Sequence, residues 1–125
     1  MANISPPPSP LQKTCELFSI LGQPVRVHIL LLLSKRELCV CHLVDALGLR
    51  QANISQQMMI LRKAGLVEYR RLGRNLYYRL ARPQVAELIL TLSELMGESF
   101  PEIELSDQSN CKVFDDSSRS PAGCA

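Results

Sequence analysis

The chain has 125 residues, 46% of them hydrophobic and 21% charged, with a formal net charge of +2. This composition predicts one globular domain with a modest core, small enough to benefit from dimerisation. No apolar run is long enough to cross a bilayer, and the amino-terminal residues lack the pattern of a secretory signal. We therefore expect a cytoplasmic protein whose five cysteines are reduced thiols.

The charges are unevenly distributed along the chain. Residues 50–82 contain eight basic residues and one acidic residue, whereas residues 83–125 contain two basic and eight acidic residues. A basic middle segment beside an acidic one predicts a polyanion-binding face within residues 50–82. The alternative from charge alone is a solvated rim of helix and loop.

The sequence divides into three parts. Residues 1–10 are polar and rich in proline, which predicts a disordered arm. Residues 11–97 carry the apolar patterns of a folded domain. Residues 98–125 are polar and acidic, which predicts an irregular tail.

Two helices are predicted at the start of the domain. The first runs from Leu11 to Gly22, which is suited to a C-cap. Its apolar stripe consists of Leu17, Phe18 and Leu21. The second has Pro24 in its first turn, and its nearly continuous apolar sequence, VRVHILLLL, predicts the central helix of the core. His28 in this helix is expected to be an interior or interface residue.

The third predicted helix spans Glu37 to Gly48, in the stretch ELCVCHLVDALG. Four apolar residues recur at the spacing of one buried helical face: Val40, Leu43, Val44 and Leu47. Such a helix would place Cys39 and Cys41 in its first turn. Residues two apart on a regular helix do not face one another, so both thiols could bind one ion only where the helix start is irregular or deforms.

A fourth helix is predicted from Gln51 to Ala64, before Gly65. Its buried stripe is Ile54, Met58 and Leu61, and its outer side carries Gln51, Asn53, Gln56 and Gln57. The pattern then alternates around a Gly-Arg-Asn turn, which predicts a β-hairpin over residues 66–80. A fifth helix after Pro83 is apolar enough on one side to need a partner.

A helix, a short glycine-containing turn, a second helix and a hairpin with arginine at its tip form the outline of a winged helix-turn-helix. We therefore predict a mainly α fold with a β-hairpin wing. In such a fold the fourth helix enters the major groove of double-stranded DNA, where Gln and Asn amides pair with base edges. The candidate base-contacting residues are Gln51, Asn53, Ser55, Gln56 and Gln57.

Arginines near this helix and along the hairpin are candidates for phosphate contacts, which position a protein on DNA without carrying sequence information. They are Arg50, Arg62, Arg70, Arg71, Arg74 and Arg79. From this group we assign Arg62, Arg71 and Arg74 to the DNA interface.

The stretch from Glu37 to Leu80 resembles the core of the ArsR/SmtB family of metal-responsive transcriptional repressors. The segments ELCVCHL, ISQQMMILRKAGLV and GRNLYYRL carry the resemblance, which extends over residues 17–95. It implies a dimeric winged helix-turn-helix repressor that leaves operator DNA when a toxic ion binds. His42 stands where the family's arsenic sensors usually have Asp, and Gln57 stands where many members have His, which leaves the ion and the operator open.

This resemblance makes Cys39 and Cys41 the candidate metal ligands. Thiolates are soft donors suited to As(III), Sb(III), Cd(II), Pb(II) or Zn(II), and As(III) is the expected inducer. For the third ligand we favour Cys111 in the tail over Cys15, whose other interpretation is packing at a dimer seam. His42 as a ligand would favour Zn(II) or Cd(II), but a histidine in such a position is more often a surface residue.

We hypothesise that ligation strains the third helix and that the strain reaches residues 51–57. One alternative is a DNA-binding regulator that senses oxidation by forming a disulfide. A thiol enzyme with a small-molecule substrate is disfavoured, because CxC is not the CxxC spacing and no phosphate-binding loop precedes a cysteine. The family's other zinc site uses Asp and His on the last helix, and PQVAELILTLSELMG contains neither.

Overall fold

The computed structural model describes residues 9–100. The elements follow in the order α1 (Pro10–Leu21), α2 (Pro24–Lys35), β1 (Leu38–Cys39), α3 (Val40–Leu47), α4 (Gln51–Lys63), β2 (Val67–Leu72), β3 (Asn75–Leu80) and α5 (Gln84–Leu95). The five predicted helices and the hairpin are confirmed, and β1 was not predicted. Residues 1–8 and 101–125, which hold most of the predicted arm and tail, lie outside the described residues.

Helix α2 is the centre of the core. Its residues Ile29 to Leu33 are all buried, because α4, α5 and β3 each pack against it. A helix that is apolar on every side is expected where neighbouring elements cover it all round. The predicted stripe of α4 is confirmed: Ile54, Met58 and Leu61 are at most 1% exposed.

The third helix begins later than predicted. Leu38 and Cys39 form β1, which pairs antiparallel with β3 and places Leu38 opposite Tyr78 and Cys39 opposite Tyr77. Helix α3 therefore starts at Val40, with Cys39 as its extended N-cap. No Ser, Thr, Asp or Asn precedes Val40 to mark this start, and the pairing partner is distant in sequence, so the local pattern could not place it.

The sheet has the strand order β1–β3–β2, so the central strand β3 is shared by β1 and the hairpin. Strands β2 and β3 are paired up to Leu72 and Asn75, which leaves Gly73 and Arg74 as a two-residue loop. Gly73 has φ 65°, a conformation that glycine adopts readily at the first position of such a hairpin loop.

Helices α1 and α5 leave large apolar side chains in solvent. Helix α1, which Ser9 caps, contains no buried residue. The exposed apolar residues of the two helices are Leu11, Phe18, Leu90, Leu95 and Met96. No single helix among residues 9–100 is long and apolar enough to cross a membrane, although the pair α1 and α2, bent by 92°, meets that test by length and composition.

Candidate thiol site and nucleic-acid interface

Cys39 and Cys41 come from two different elements. Cys39 ends β1 and is the N-cap of α3, with φ −88° and ψ 170°, whereas Cys41 lies in the first turn of α3. The extended residue directs the first sulfur towards the second, and the two are joined as a disulfide with their Cα atoms 5.4 Å apart. The irregular helix start that convergence requires is therefore part of the fold. For this pair the expectation of reduced thiols is wrong in this structure.

His42 lies beside the two sulfurs. Its Nδ1 accepts the backbone N–H of Cys39 at 3.1 Å and lies 3.2 Å from Cys39 Sγ. Because Nδ1 accepts this hydrogen bond, the neutral ring carries its proton on Nε2. Only 4% of His42 is exposed, so the prediction of a surface histidine is wrong.

These three residues, Cys39, Cys41 and His42, form what we call the thiol corner. Their ligand atoms lie within 4.8 Å of one another. The two cysteines are 0% and 7% exposed, and Tyr77 packs against both. Two sulfurs and an imidazole are soft and borderline donors, so the reduced corner is chemically suited to a thiophilic ion.

The candidates for a third sulfur lie elsewhere. Cys15 on α1 is a free, exposed thiol that residues 9–100 do not bury, and its packing at a dimer seam stays a prediction. Cys111 lies outside the described residues. His28 on α2 is half-buried and lines an apolar cavity beside Phe100, consistent with an interior or interface position.

The sheet connects the thiol corner to the hairpin. Cys39 is paired with Tyr77, and Tyr77 is paired in turn with Arg70 on β2. Glu37, two residues before Cys39, binds the same arginine through Oε2, which is 2.8 Å from Nη2 and 2.9 Å from Nε of Arg70. The strand that holds the first sulfur is therefore tied to the hairpin by backbone pairing and by a two-pronged ion pair.

The polar residues predicted on the outer side of α4 fall into two groups. Asn53 and Gln56 are exposed, whereas Gln51, Ser55 and Gln57 are half-buried. The side chain of Gln57 turns back to α2, contrary to the predicted outward position, and its Oε1 accepts a hydrogen bond from Arg26 Nε at 2.8 Å.

Arg62 links α4 to the hairpin. Its guanidinium lies over the ring of Tyr69, 4.6 Å from the centroid, a distance typical of a cation–π contact. Tyr69 in turn packs against Tyr78, with ring centroids 5.8 Å apart. Burial raises the pKa of Tyr78, an effect that the charge of Arg62 partly offsets, so this phenol stays protonated at neutral pH.

The four hairpin arginines are all exposed. Arg79 binds Glu68 across the two strands, with Nε 2.7 Å from the carboxylate, and also lies 3.7 Å from Glu37, which holds Arg70. Of the hairpin arginines that sequence reasoning assigned to the DNA interface, Arg71 lies on β2 and Arg74 in the loop between the strands.

Known proteins are similar to this chain in sequence. Residues 23–69 match the family model described as bacterial regulatory protein, arsR family. The chain is also 41% identical, over 88 residues, to a transcriptional repressor SmtB homolog of Synechocystis, an alignment that covers 70% of this chain and 67% of that protein. The chain belongs to the ArsR family.

Two further relatives extend the comparison beyond the matched core. The arsenic resistance transcriptional regulator of Pseudomonas putida is 33% identical over 110 residues, or 87% of this chain and 85% of that protein. A solution structure from Mycobacterium bovis, of a homodimeric winged helix-turn-helix DNA-binding domain from a possible ArsR-family regulator, has a TM-score of 0.65 at 30% identity, covering 81% of this chain and 94% of that one.

This ArsR-family chain is a transcriptional regulator with a winged helix-turn-helix fold, in which α3 and α4 are the helix pair and the β2–β3 hairpin is the wing. Its relatives are regulators rather than enzymes. Sequence reasoning missed two residues that connect its elements, Arg26 and Glu37. A signal was present for Arg26, the one charged residue in the apolar segment VRVHILLLL.

Proposed function

We propose that this ArsR-family protein is a homodimeric cytoplasmic repressor that leaves operator DNA when a soft ion binds the thiolates of Cys39 and Cys41. The observation that carries the proposal is the convergence of the two sulfurs at the junction of β1 and α3. Two sulfurs held this close together can share one ion once the disulfide is reduced, and thiolates are the ligands that soft ions select.

As(III) is the first candidate ion. The Pseudomonas putida relative is an arsenic resistance regulator by name, and the two sulfurs of the thiol corner are buried together. Sb(III) and Pb(II) share this preference for sulfur. Within this proposal Cys111 is the first choice for a third sulfur ligand and Cys15 the second.

His42 favours a second class of ion, Cd(II) or Zn(II). Two thiolates with an imidazole nitrogen form a donor set that these ions accept. The nitrogen beside the sulfurs is Nδ1, which now accepts the N–H of Cys39. Ligation through this atom would break that hydrogen bond, so binding of such an ion would change the cap of α3.

The disulfide favours a second function for the same site, the sensing of oxidation. When hydrogen peroxide oxidises the two thiols, the sulfurs lose two electrons and two protons, the S–S bond forms and two water molecules leave. Joined sulfurs have no thiolate to offer an ion, so the two functions exclude each other in any one molecule. Only the reduced protein would respond to an ion.

We propose two routes from the thiol corner to DNA. An ion held by both cysteines pulls on β1, and through it on Tyr77 and on the Glu37–Arg70 pair of the wing. It would also act on the first turn of α3, and α3 packs against α4. A coupling of about 1–3 kcal/mol would weaken DNA binding by roughly 5- to 150-fold.

The exposed apolar residues of α1 and α5 support the homodimer. They include Phe18, which is 53% exposed, and Leu95 and Met96, which are 78% and 75% exposed. A contiguous exposed apolar patch usually marks an interaction surface, and a two-fold dimer lets one such surface cover its own copy. The Mycobacterium bovis neighbour is described as homodimeric.

For operator DNA we assign base contacts to α4 and phosphate contacts to its arginine neighbours. Asn53 and Gln56 are the two exposed amides and carry the main base contacts, with Gln51, Ser55 and Gln57 beside them. The phosphate contacts are Arg62, Arg71 and Arg74.

The experiment selects operator DNA from random sequence with the reduced full-length protein, then measures affinity with As(III), Cd(II), Zn(II) or peroxide added. We expect As(III) to release the DNA under reducing conditions and peroxide to have no such effect. Cys124→Ser, at a cysteine outside the candidate ligands, is the matched control and should respond as the wild type does. Release by peroxide alone would establish the oxidation sensor instead, and absence of any specific DNA binding would refute the repressor.

A further inference from the structure

A series of hydrogen bonds runs from the end of α1 through α2 to α4. Arg26 on α2 donates from Nη1 to the carbonyl oxygen of Ile20 at 3.2 Å, and from Nε to Oε1 of Gln57 at 2.8 Å. Ile20 lies in the last turn of α1, where backbone carbonyl groups have no N–H partner within the helix. Arg26 is therefore anchored at one end before it contacts α4 at the other.

The series of hydrogen bonds continues along α4. Nε2 of Gln57 donates to Oδ1 of Asn53 at 3.3 Å, one helical turn earlier. Asn53 is exposed, whereas Gln57 and Arg26 are half-buried. The series thus leads from the inside of the domain to one of the two exposed amides on the outer side of α4.

Arginine determines which group donates and which accepts in each of these hydrogen bonds. A guanidinium has only donors, so the group that faces it must be an acceptor. Gln57 must then turn its oxygen to Arg26 and its NH₂ group to Asn53, and Asn53 must turn its oxygen inward. The outward group of Asn53 is consequently its NH₂ donor.

We propose that Arg26 is a positioning residue. Through Gln57 it fixes the orientation of the Asn53 amide, so that the NH₂ group of Asn53 faces DNA and selects a base with acceptors on its major-groove edge. Guanine, with N7 and O6 in the major groove, is the base that such a donor fits best. This inference rests on the proposed function, since it assumes that α4 enters the major groove. Without these hydrogen bonds, Asn53 could turn either way and pair with adenine through both of its polar atoms.

Gln57→Glu reverses donor and acceptor in the hydrogen bond between residue 57 and Asn53. Both oxygens of a carboxylate accept, so Arg26 keeps its partner while Asn53 must rotate, donate its NH₂ group inward and present its oxygen to DNA. The contacted base pair should then change from guanine to a base with an outward NH₂ group, cytosine or adenine. Gln57→Met removes these hydrogen bonds with a side chain of similar size, and it should weaken the preference for one base over the others.

The readout is the relative affinity for four operators that differ only at the base pair where Asn53→Ala abolishes discrimination. Ratios within one variant are compared because the added charge of Gln57→Glu weakens binding to every sequence. We expect the wild type to favour guanine by roughly 2- to 12-fold, the range of one net hydrogen bond, Gln57→Glu to reverse this order, and Gln57→Met to bring the four affinities together.

Arg26→Lys supplies the conservative test, because lysine also offers only donors and should retain the guanine preference. Arg26→Met should lose it. A Gln57→Glu protein that binds specifically with the wild-type base preference would overturn the proposal, as would a wild-type preference for adenine at this position. Failure of the wild type to distinguish any DNA sequence would refute the proposed function itself.

Discussion

The thiol corner and the outer side of α4 are built in opposite ways. The corner is buried, its three residues lie within one short stretch of sequence, and its geometry depends on the backbone of β1 and on the cap of α3. The outer side of α4 carries exposed and half-buried polar side chains, while the buried stripe behind them holds the helix in place. A ligand at the corner must act on the main chain, whereas the outer residues can change without changing the fold.

This difference separates two properties that variants should alter independently. Changes at the corner should alter the response to an ion and leave the affinity of the ion-free protein for DNA intact. Changes on the outer side of α4 should alter DNA affinity and leave the response intact.

The largest expected effect follows removal of one sulfur. Cys39→Ser or Cys41→Ser should abolish the ion-induced loss of DNA affinity, expected at roughly 5- to 150-fold in the wild type. The ion-free variants should bind operator DNA as the wild type does, because neither residue is exposed. Fluorescence anisotropy of labelled operator under reducing conditions measures both quantities. Full induction in both variants would remove the sensing site from this corner.

The second effect concerns the exposed amides of α4. Asn53→Ala and Gln56→Ala should each weaken specific binding by about 1–3 kcal/mol while leaving nonspecific binding nearly unchanged. Their response to the ion should remain, since they do not touch the thiol corner. Titration of operator and unrelated DNA in parallel gives the two affinities. Equal losses on both DNAs would make these residues phosphate contacts or bystanders.

A third prediction concerns Arg74 at the tip of the hairpin. Arg74→Ala should reduce the dependence of affinity on salt by about one unit in the slope of log K against log salt, as expected for one lost phosphate contact. Arg79→Ala is the matched control, because Arg79 is bound to Glu68 at 2.7 Å. The same slope for Arg74→Ala and the wild type would remove the hairpin tip from the interface.

The smallest effect tests the connection through the sheet. Glu37→Gln weakens the pair with Arg70, which as a partly exposed pair contributes about 0.2–1 kcal/mol. We expect a reduced response to the ion with DNA affinity unchanged or slightly raised. Glu68→Gln, which removes a wing carboxylate that binds Arg79, should keep the full response. An unaltered response in Glu37→Gln would exclude the ion pair with Arg70 from the coupling and indicate that the coupling passes through α3 to α4.

Sequence patterns were sufficient for elements whose signals are local. The stripe of Ile54, Met58 and Leu61 predicted α4, and the alternation around Gly73 predicted the hairpin. β1 could not be predicted in this way, because Leu38 and Cys39 form a strand only by pairing with β3, which is distant in sequence.

The candidate site was predictable in its ligand types and not in its geometry. Cys39 and Cys41 were chosen from the family resemblance, but their convergence depends on the extended conformation of Cys39, which the unpredicted strand imposes. The burial of His42 and the contact between Arg26 and Gln57 depend likewise on tertiary packing. Helical periodicity describes one element at a time and carries no information about such contacts.

The most direct test of the central claim measures the same coupling from both directions. The affinity of the reduced protein for As(III) is determined with and without saturating operator DNA, and the affinity for DNA is determined with and without As(III). Linkage requires the two ratios to be equal, and our account predicts a common factor of roughly 5- to 150-fold that disappears in Cys39→Ser. An affinity for As(III) that operator DNA does not change would contradict it.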